Sequence, residues 1–331
     1  PSAVTDAAAA SMSHVAWDGF AHHDTIFPLF LFIAGVSFPY SVAKQRAGGM
    51  SEGRIYAKIV RRGLTLVVLG MVYNGLFKLD FENLRIASVL GRIGLAWSIA
   101  AVLYLNFGVK TRAAIAVAVL AGYGALSALV AAPDAAGAGP LTFEGNLAGY
   151  IDRQFLPGKL IYGSFDPEGL LSTVPAVVTA MLGMFTGEFV RRGDIRGGRK
   201  TLWMAAAAAA LLAAGLAFSG VLPVNKKLWS STFVCVVGAY SLGMFALFYY
   251  LIDVRGWRRW TLFFRVVGLN SITIYLAQRI VGFGRISDFF LGGIASKCPE
   301  AVAAVISSAG YVAVCWLFLY FLYRKNVFLK V

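Results

Sequence analysis

All three histidines of the chain lie within ten residues of one another, directly before an apolar stretch that begins at Thr25. The first, His14, shares this segment with two carboxylates, Asp18 and Asp24. An imidazole can act as a general base or a nucleophile near neutral pH, and a neighbouring carboxylate can orient and polarise its ring. The sequence therefore indicates His14 and Asp24 as candidate catalytic residues, with an interfacial structural histidine as the alternative.

A second group of polar residues is Arg85, Ser88 and Arg92, which are spaced i, i+3 and i+7. On a helix they share one face. Arg85 alone is typical of a cation at a membrane boundary, but Arg92 lies deeper in an apolar stretch. A guanidinium at that depth needs a carboxylate, a phosphate or a water-filled cavity. We therefore expect this face to bind an anionic ligand such as a phosphate.

Further polar residues interrupt or border apolar stretches, and each has a structural alternative. Asp-Pro-Glu at 166–168 is typical of a helix N-terminus, a tryptophan at a span boundary is typical of an interface anchor, and polar groups inside a span usually join helices. As candidate substrate-binding residues we name Asp18, Asp152, Asp166, Glu168, Asn225, Lys226, Trp229 and Asn270.

The composition excludes a soluble globular protein. Of the 331 residues 59% are hydrophobic and 14% are charged, which is typical of a polytopic membrane protein. The sequence predicts one all-α membrane domain over 1–331, with an outer segment at 1–24 that carries the histidines and a long outer loop at 133–168. The runs long enough to span a bilayer as helices cover 25–43, 57–77, 88–107, 112–132, 169–190, 201–221, 229–252, 262–282 and 301–323.

The net charge of +14 does not indicate a nucleic-acid partner, because 19 of the 30 Lys and Arg residues fall in one set of alternating loops. This is the pattern of cytoplasmic loops in membrane proteins. It predicts a bacterial inner-membrane protein with its C-terminus in the cytoplasm and the His14 segment on the outer side. No metal site is expected, since adjacent histidine side chains diverge and the three cysteines lack metal-binding spacing.

Eight collinear segments resemble the heparan-α-glucosaminide N-acetyltransferase family and its bacterial relatives. The matching stretches are 14–19 (HVAWDG), 24–35 (DTIFPLFLFIAG), 85–92 (RIASVLGR), 149–153 (GYIDR), 165–169 (FDPEG), 223–229 (PVNKKLW), 268–271 (GLNS) and 323–330 (YRKNVFLK).

This resemblance implies a membrane enzyme that takes acetyl from cytoplasmic acetyl-CoA and passes it to the amino group of a glucosamine-type sugar on the far side. It places the active-site histidine at His14 and lets Asp24 orient its ring. It also assigns acetyl-CoA to the face of Arg85, Ser88 and Arg92, and the sugar to the outer carboxylates. His14 acts either as an acetylated nucleophile or as a base for direct transfer.

Two departures from the family pattern bear on this expectation. Family members carry a further helix before the histidine segment, which we expect upstream of Pro1, and animal members have a histidine near the position of Gln278. The acceptor can therefore differ from heparan sulfate. The alternatives are a transporter of amino sugars or cell-wall fragments, and a non-catalytic subunit for modifying envelope polysaccharide. A homodimer is compatible with each of these.

Overall fold

The computed structural model describes residues 15–329, and the regular secondary structure in that range is helical. A short 3-10 turn, His22–Thr25, leads into the first helix. The α-helices are α1 (Ile26–Ala47), α2 (Glu52–Tyr73), α3 (Val89–Asn106), α4 (Val109–Leu129), α5 (Leu147–Phe155), α6 (Leu170–Val190), α7 (Gly197–Ala217), α8 (Ser231–Tyr249), α9 (Thr261–Leu269), α10 (Ser271–Ile280), α11 (Phe283–Ala295) and α12 (Glu300–Arg324).

Among residues 15–329, seven helices are long and apolar enough to cross a membrane, namely α1, α3, α4, α6, α7, α8 and α12. The prediction of an all-α polytopic membrane protein is therefore confirmed. The run predicted at 57–77 corresponds to α2, whose first turns are rich in charge, from Glu52 to Arg62. The run predicted as one span at 262–282 is instead divided into α9 and α10.

The division between α9 and α10 falls at Asn270, a buried residue with φ −124° and ψ 24°. Its backbone N–H donates to the Val267 carbonyl in a tight turn, and its side-chain oxygen accepts from the Thr273 hydroxyl. Asparagine side chains that bond locally compete with the helical hydrogen-bond pattern. This competition gives a physical reason for the break, which apolar composition alone does not reveal.

The chain forms two compact units, the first ending at Val254 and the second beginning at Arg255. In the second unit, Phe263 stacks on Trp316 at 5.7 Å between ring centroids, which joins α9 to α12. Gly310 of α12 lies against the Ser287 hydroxyl of α11. The organisation of the whole chain as a single domain stays a prediction.

In the first unit, α1, α3, α6 and α8 all begin at the same end of the helix bundle. Two polar contacts show this. The ammonium of Lys226, which lies just before α8, donates to Asp24, which lies just before α1. Arg92 in α3 donates to the carbonyl of Gly169, which lies just before α6. We call this the site end. At the other end, which we call the basic end, the helix ends and the connection between α6 and α7 carry many of the cations of the described first unit, and Arg191 donates to the Pro39 carbonyl at 2.9 Å.

Glycines bring α1 and α6 into backbone contact. A Cβ added at Gly183 would overlap the Phe32 carbonyl, and one added at Gly35 would overlap the Ala180 carbonyl. One turn further on, Gly187 lies in the same way against the Val36 carbonyl. Small residues are what allow membrane helices to approach this closely. This glycine contact fixes the position of α6 relative to α1, and with it the start of both helices at the site end.

We predict that Gly183→Ala lowers the free energy of unfolding by roughly 1–3 kcal/mol or more, because the methyl group must push two backbones apart. Thermal unfolding of the purified protein in detergent measures this. Gly122→Ala in α4 is the matched control, since its Cβ would meet no atom within 4 Å. An unchanged melting temperature for Gly183→Ala would contradict the glycine contact.

Candidate functional site

Asp24 lies at the site end, just before α1, and is buried with 2% of its surface exposed. One oxygen accepts a hydrogen bond from the Ala21 N–H at 3.3 Å, and the other accepts from the Lys226 ammonium at 3.1 Å. The ammonium stabilises the ionised carboxylate that an imidazole would need as a partner. His14 lies outside the described residues, so its predicted partnership with Asp24 stays a prediction.

The segment that follows His14 is fastened to the turn before α8. Gly19 N–H donates to the Val224 carbonyl at 2.8 Å, and the Asn225 amide donates to Asp18 at 3.0 Å. The Asn225 oxygen also accepts from the Leu228 N–H at 2.9 Å, so this side chain holds its own turn. The structure thus brings together four predicted site residues, Asp18, Asp24, Asn225 and Lys226.

Trp229 follows in the same turn and is 1% exposed, so the alternative of an exposed interface anchor is wrong. Its indole N–H donates to the Thr179 hydroxyl of α6 at 3.2 Å, and its ring packs on Phe27 of α1 at 4.9 Å. Its φ of 52° is left-handed and costs a bulky residue about 1–2 kcal/mol. Strain of this kind persists where the surroundings hold a side chain in one place, as around functional sites.

Arg92 of α3 is the most deeply buried cation near this turn, with 2% of its surface exposed. Nη2 donates to the Ser172 hydroxyl and, at 3.4 Å, to the Gly169 carbonyl. The centre of the guanidinium lies 5.0 Å from the centroid of the Trp229 ring. Its Nε and Nη1 are buried and have no hydrogen-bond partner among the described residues. The site therefore holds two unused donors on a fixed positive charge.

Arg85 forms ion pairs with two carboxylates of the candidate site, Asp166 and Glu168. Its Nε and Nη2 each donate to an oxygen of Asp166 at 2.7 Å, and Nη2 also donates to Glu168. Burial lowers the pKa of Arg85, but the bonds to Asp166 and the charge of Glu168 outweigh it and raise the pKa overall. Asp166 is completely buried and the Glu168 side chain is 12% exposed, so Arg85 is the partner of both carboxylates in the structure, and their predicted contact with the sugar stays a prediction.

Two other candidate residues cap helices. The Ser88 hydroxyl accepts from the Gly91 N–H at 2.9 Å and starts α3. Asp152, in α5, accepts from the Leu170 N–H at 2.8 Å and so caps α6 from another element. Asp166, which the sequence favours as the cap of α6, binds Arg85 instead.

Asp152 is also a titratable group whose hydrogen-bonding capacity is only partly satisfied. It is completely buried, its second oxygen has no hydrogen-bond partner among residues 15–329, and Gly169 lies directly against it. Burial raises the pKa of Asp152 to about 6, the charge of Asp166 adds to this, and the bond from Leu170 opposes it. A buried carboxyl that titrates near neutral pH is a feature of functional sites.

Asn270 belongs to the second unit, where its amide nitrogen is buried without a partner in the described chain. Its predicted contact with substrate stays a prediction. No group of three His, Cys, Asp or Glu side chains that could hold a metal occurs within residues 15–329.

The sequence does not single out Ser172 and Thr179, whose hydroxyls bond Arg92 and Trp229 in the structure. Both lie in an apolar span, where a lone hydroxyl resembles ordinary helix packing. The signal available was the pair Ser172-Thr173 at the start of a span, opposite a predicted buried arginine. The site end thus combines a buried guanidinium, a paired carboxylate and the N-termini of four helices.

We predict that the stability conferred by Asp152 falls as the pH rises. Its folded-state pKa of about 6 exceeds the ordinary value, so folding favours the protonated form. The stabilisation is present below about pH 4 and is lost between about pH 4 and pH 6. Relative to Asp152→Asn, the wild type should lose roughly 2–3 kcal/mol over this interval, as measured by unfolding at several pH values.

Asp134→Asn is the control for this experiment. The bond from Arg153 lowers the pKa of exposed Asp134, so its contribution has the opposite dependence on pH. Parallel pH profiles for the wild type and Asp152→Asn would show that Asp152 is not shifted.

Comparisons with known proteins place these residues in a family. The family model described as heparan-alpha-glucosaminide N-acetyltransferase, catalytic, matches residues 3–220. The heparan-alpha-glucosaminide N-acetyltransferase of Homo sapiens is 27% identical over 375 aligned residues, which cover 96% of this chain and 55% of the relative. That of Mus musculus is 26% identical over 372 residues, with 96% and 56% covered. The chain thus spans about half the length of these curated relatives.

Proposed function

Because the chain belongs to the heparan-alpha-glucosaminide N-acetyltransferase family, we propose that it is a membrane acetyltransferase that moves acetyl from acetyl-CoA to the amino group of a glucosamine-type sugar. The membrane character is given by the apolar helices, and the family gives the reaction class. The observation that supports this reaction best is the site end itself. It places the buried Asp24 carboxylate on the segment that follows His14, in the same unit as the unpartnered donors of Arg92.

In the proposed reaction, the sugar amine attacks the thioester carbon of acetyl-CoA. The new N–C bond forms, the C–S bond breaks, the amine proton passes to His14, and the CoA thiolate takes up a proton. A ping-pong route divides the same reaction into acetylation of His14 and attack by the amine. In both routes Asp24, held by Lys226, orients and polarises the imidazole.

The donor and the acceptor reach the site from opposite sides in this proposal. The basic end carries the cations expected on the cytoplasmic side, including Arg112, which bonds Glu188, and Arg191. The site end would then lie on the outer side of a bacterial inner membrane, where the amino sugar arrives, and the C-terminus would lie in the cytoplasm.

Of the residues predicted to bind acetyl-CoA, Arg92 has the best support. Ser88 caps α3, and Arg85 is already bound by Asp166 and Glu168, so a phosphate there would have to displace two carboxylates. Asp18 is exposed at the edge of the site and is the candidate for contact with the acceptor.

An acetyl-transfer assay tests the proposed function. The full-length protein in liposomes, supplied with [¹⁴C]acetyl-CoA and glucosamine, should form N-acetylglucosamine. His14→Ala should lower the rate by roughly 100-fold or more, the usual contribution of a catalytic acid–base group. His22→Ala is the matched control, since the ring of His22 contacts Tyr240 at 3.3 Å and has no assigned role.

Two results would contradict the proposed function. Absence of the acetylated product with the wild type, together with uptake of labelled glucosamine into the liposomes, would favour the transporter. Full activity of His14→Ala would remove His14 from the mechanism.

A further inference from the structure

Only one of the three nitrogens of the Arg92 guanidinium has hydrogen-bond partners in the described chain. Its Nη2 bonds Ser172 and Gly169, whereas Nε and Nη1 are buried and unpartnered. A buried N–H without an acceptor is destabilising, and more so on a charged group. Two such donors on one guanidinium point to an acceptor that a bound molecule supplies.

The charges around Arg92 limit what that molecule can be. Glu168, Asp166 and Asp152 lie within electrostatic range of the guanidinium, and Arg85 is the nearby cation that pairs with two of them. The group already holds three carboxylates against two guanidinium groups. A phosphate would bring one or two further negative charges next to the buried Asp152 and Asp166, where uncompensated charge is costly.

A carbonyl oxygen meets both requirements. It accepts two hydrogen bonds, and it is uncharged until a nucleophile attacks its carbon. We propose that Arg92 binds the acetyl carbonyl oxygen of the donor through Nε and Nη1, and stabilises the oxyanion that forms when the amine or His14 attacks. This inference rests on the proposed acetyl transfer and assigns Arg92 to the reacting atoms, in place of the phosphates.

The contacts of Arg92 suit this role because they fix its direction. Ser172 and the Gly169 carbonyl hold Nη2 from α6, and the Trp229 ring lies against the guanidinium. The Trp229 indole donates to the Thr179 hydroxyl, and its ring packs on Phe27. Phe27 lies one helical turn after Asp24. The Trp229 ring therefore links Arg92 to the helix that Asp24 begins. A buried donor that is held in place before charge develops stabilises that charge without further reorganisation.

The atoms balance in this step. The nitrogen lone pair forms a bond to the carbonyl carbon, and the C=O π pair moves to oxygen, which Arg92 holds. When the C–S bond breaks, its electron pair leaves with the CoA thiolate, which takes up a proton, and the pair on oxygen re-forms the carbonyl of the acetylated nitrogen. Arg92 stays protonated throughout, and the amine proton leaves through His14 as above.

The experiment measures kcat for acetyl transfer and, separately, the Kd of CoA, which has the phosphates but no acetyl group. We expect Arg92→Lys to lower kcat by roughly 100- to 1000-fold, since the ammonium on its flexible stem does not present the fixed, planar pair of donors of the guanidinium. The Kd of CoA should change less than about 2-fold. A rise in the Kd of CoA in parallel with the loss of kcat/KM would overturn the proposal in favour of phosphate binding.

Two further variants keep the test decisive. Ser172→Ala leaves the guanidinium in place without its hydroxyl partner, and we expect a fall in kcat with an unchanged Kd of CoA even if Arg92→Lys does not fold. Arg62→Lys is the matched control, because Arg62 also stacks on a tryptophan, Trp97 at 4.4 Å, with a buried and unpartnered Nε within the described chain. It should keep the wild-type kcat.

Unchanged kcat in Arg92→Lys or in Ser172→Ala would also overturn the proposal. If the proposed acetyltransferase function is wrong, the wild type itself will be inactive. That result is distinguishable from a failure of the role proposed for Arg92.

Discussion

The burial of the Arg92 guanidinium is the constraint around which the site end is built. A charge moved from water into an apolar bundle costs several kcal/mol unless polar groups surround it. The start of α6 supplies two of these groups, Ser172 and the Gly169 carbonyl, and the Trp229 ring supplies a third contact. These contacts explain why a membrane helix carries a serine in its first turn and why a tryptophan adopts a left-handed backbone.

The glycine contact between α1 and α6 makes this arrangement possible. With Gly35 and Gly183 facing carbonyl groups of the opposite helix, α6 is held against α1, and it also packs on α3 and α8. All four helices then begin together, so the loops before them meet. Three segments that are distant in the sequence lie at the same end of the bundle because the helices alternate in direction. They are Asp24, the 166–168 segment and the turn at 223–230.

Much of this follows from the sequence. Composition and the length of the apolar runs predict the helical membrane fold, and the family resemblance assigns Asp24, Lys226 and Arg92 to one reaction. The hydrogen-bond partners of these polar residues could not be predicted from the sequence. The Asp-Pro-Glu segment is typical of a helix N-terminus when only its neighbours in the sequence are considered. In the structure Asp166 binds Arg85, and Asp152 caps α6 instead. Such outcomes depend on tertiary contacts, as do the helix inside the 133–168 loop and the break at Asn270.

The most direct test of this account is a structure of the full-length protein with a CoA analogue in which a methylene group replaces the thioester sulfur, so that the acetyl group cannot be transferred. The account predicts that the ketone oxygen lies within hydrogen-bond distance of Arg92 Nε and Nη1, with the phosphates at the basic end of the first unit. Phosphates bound at Arg92, or an acetyl group at the basic end, would contradict it.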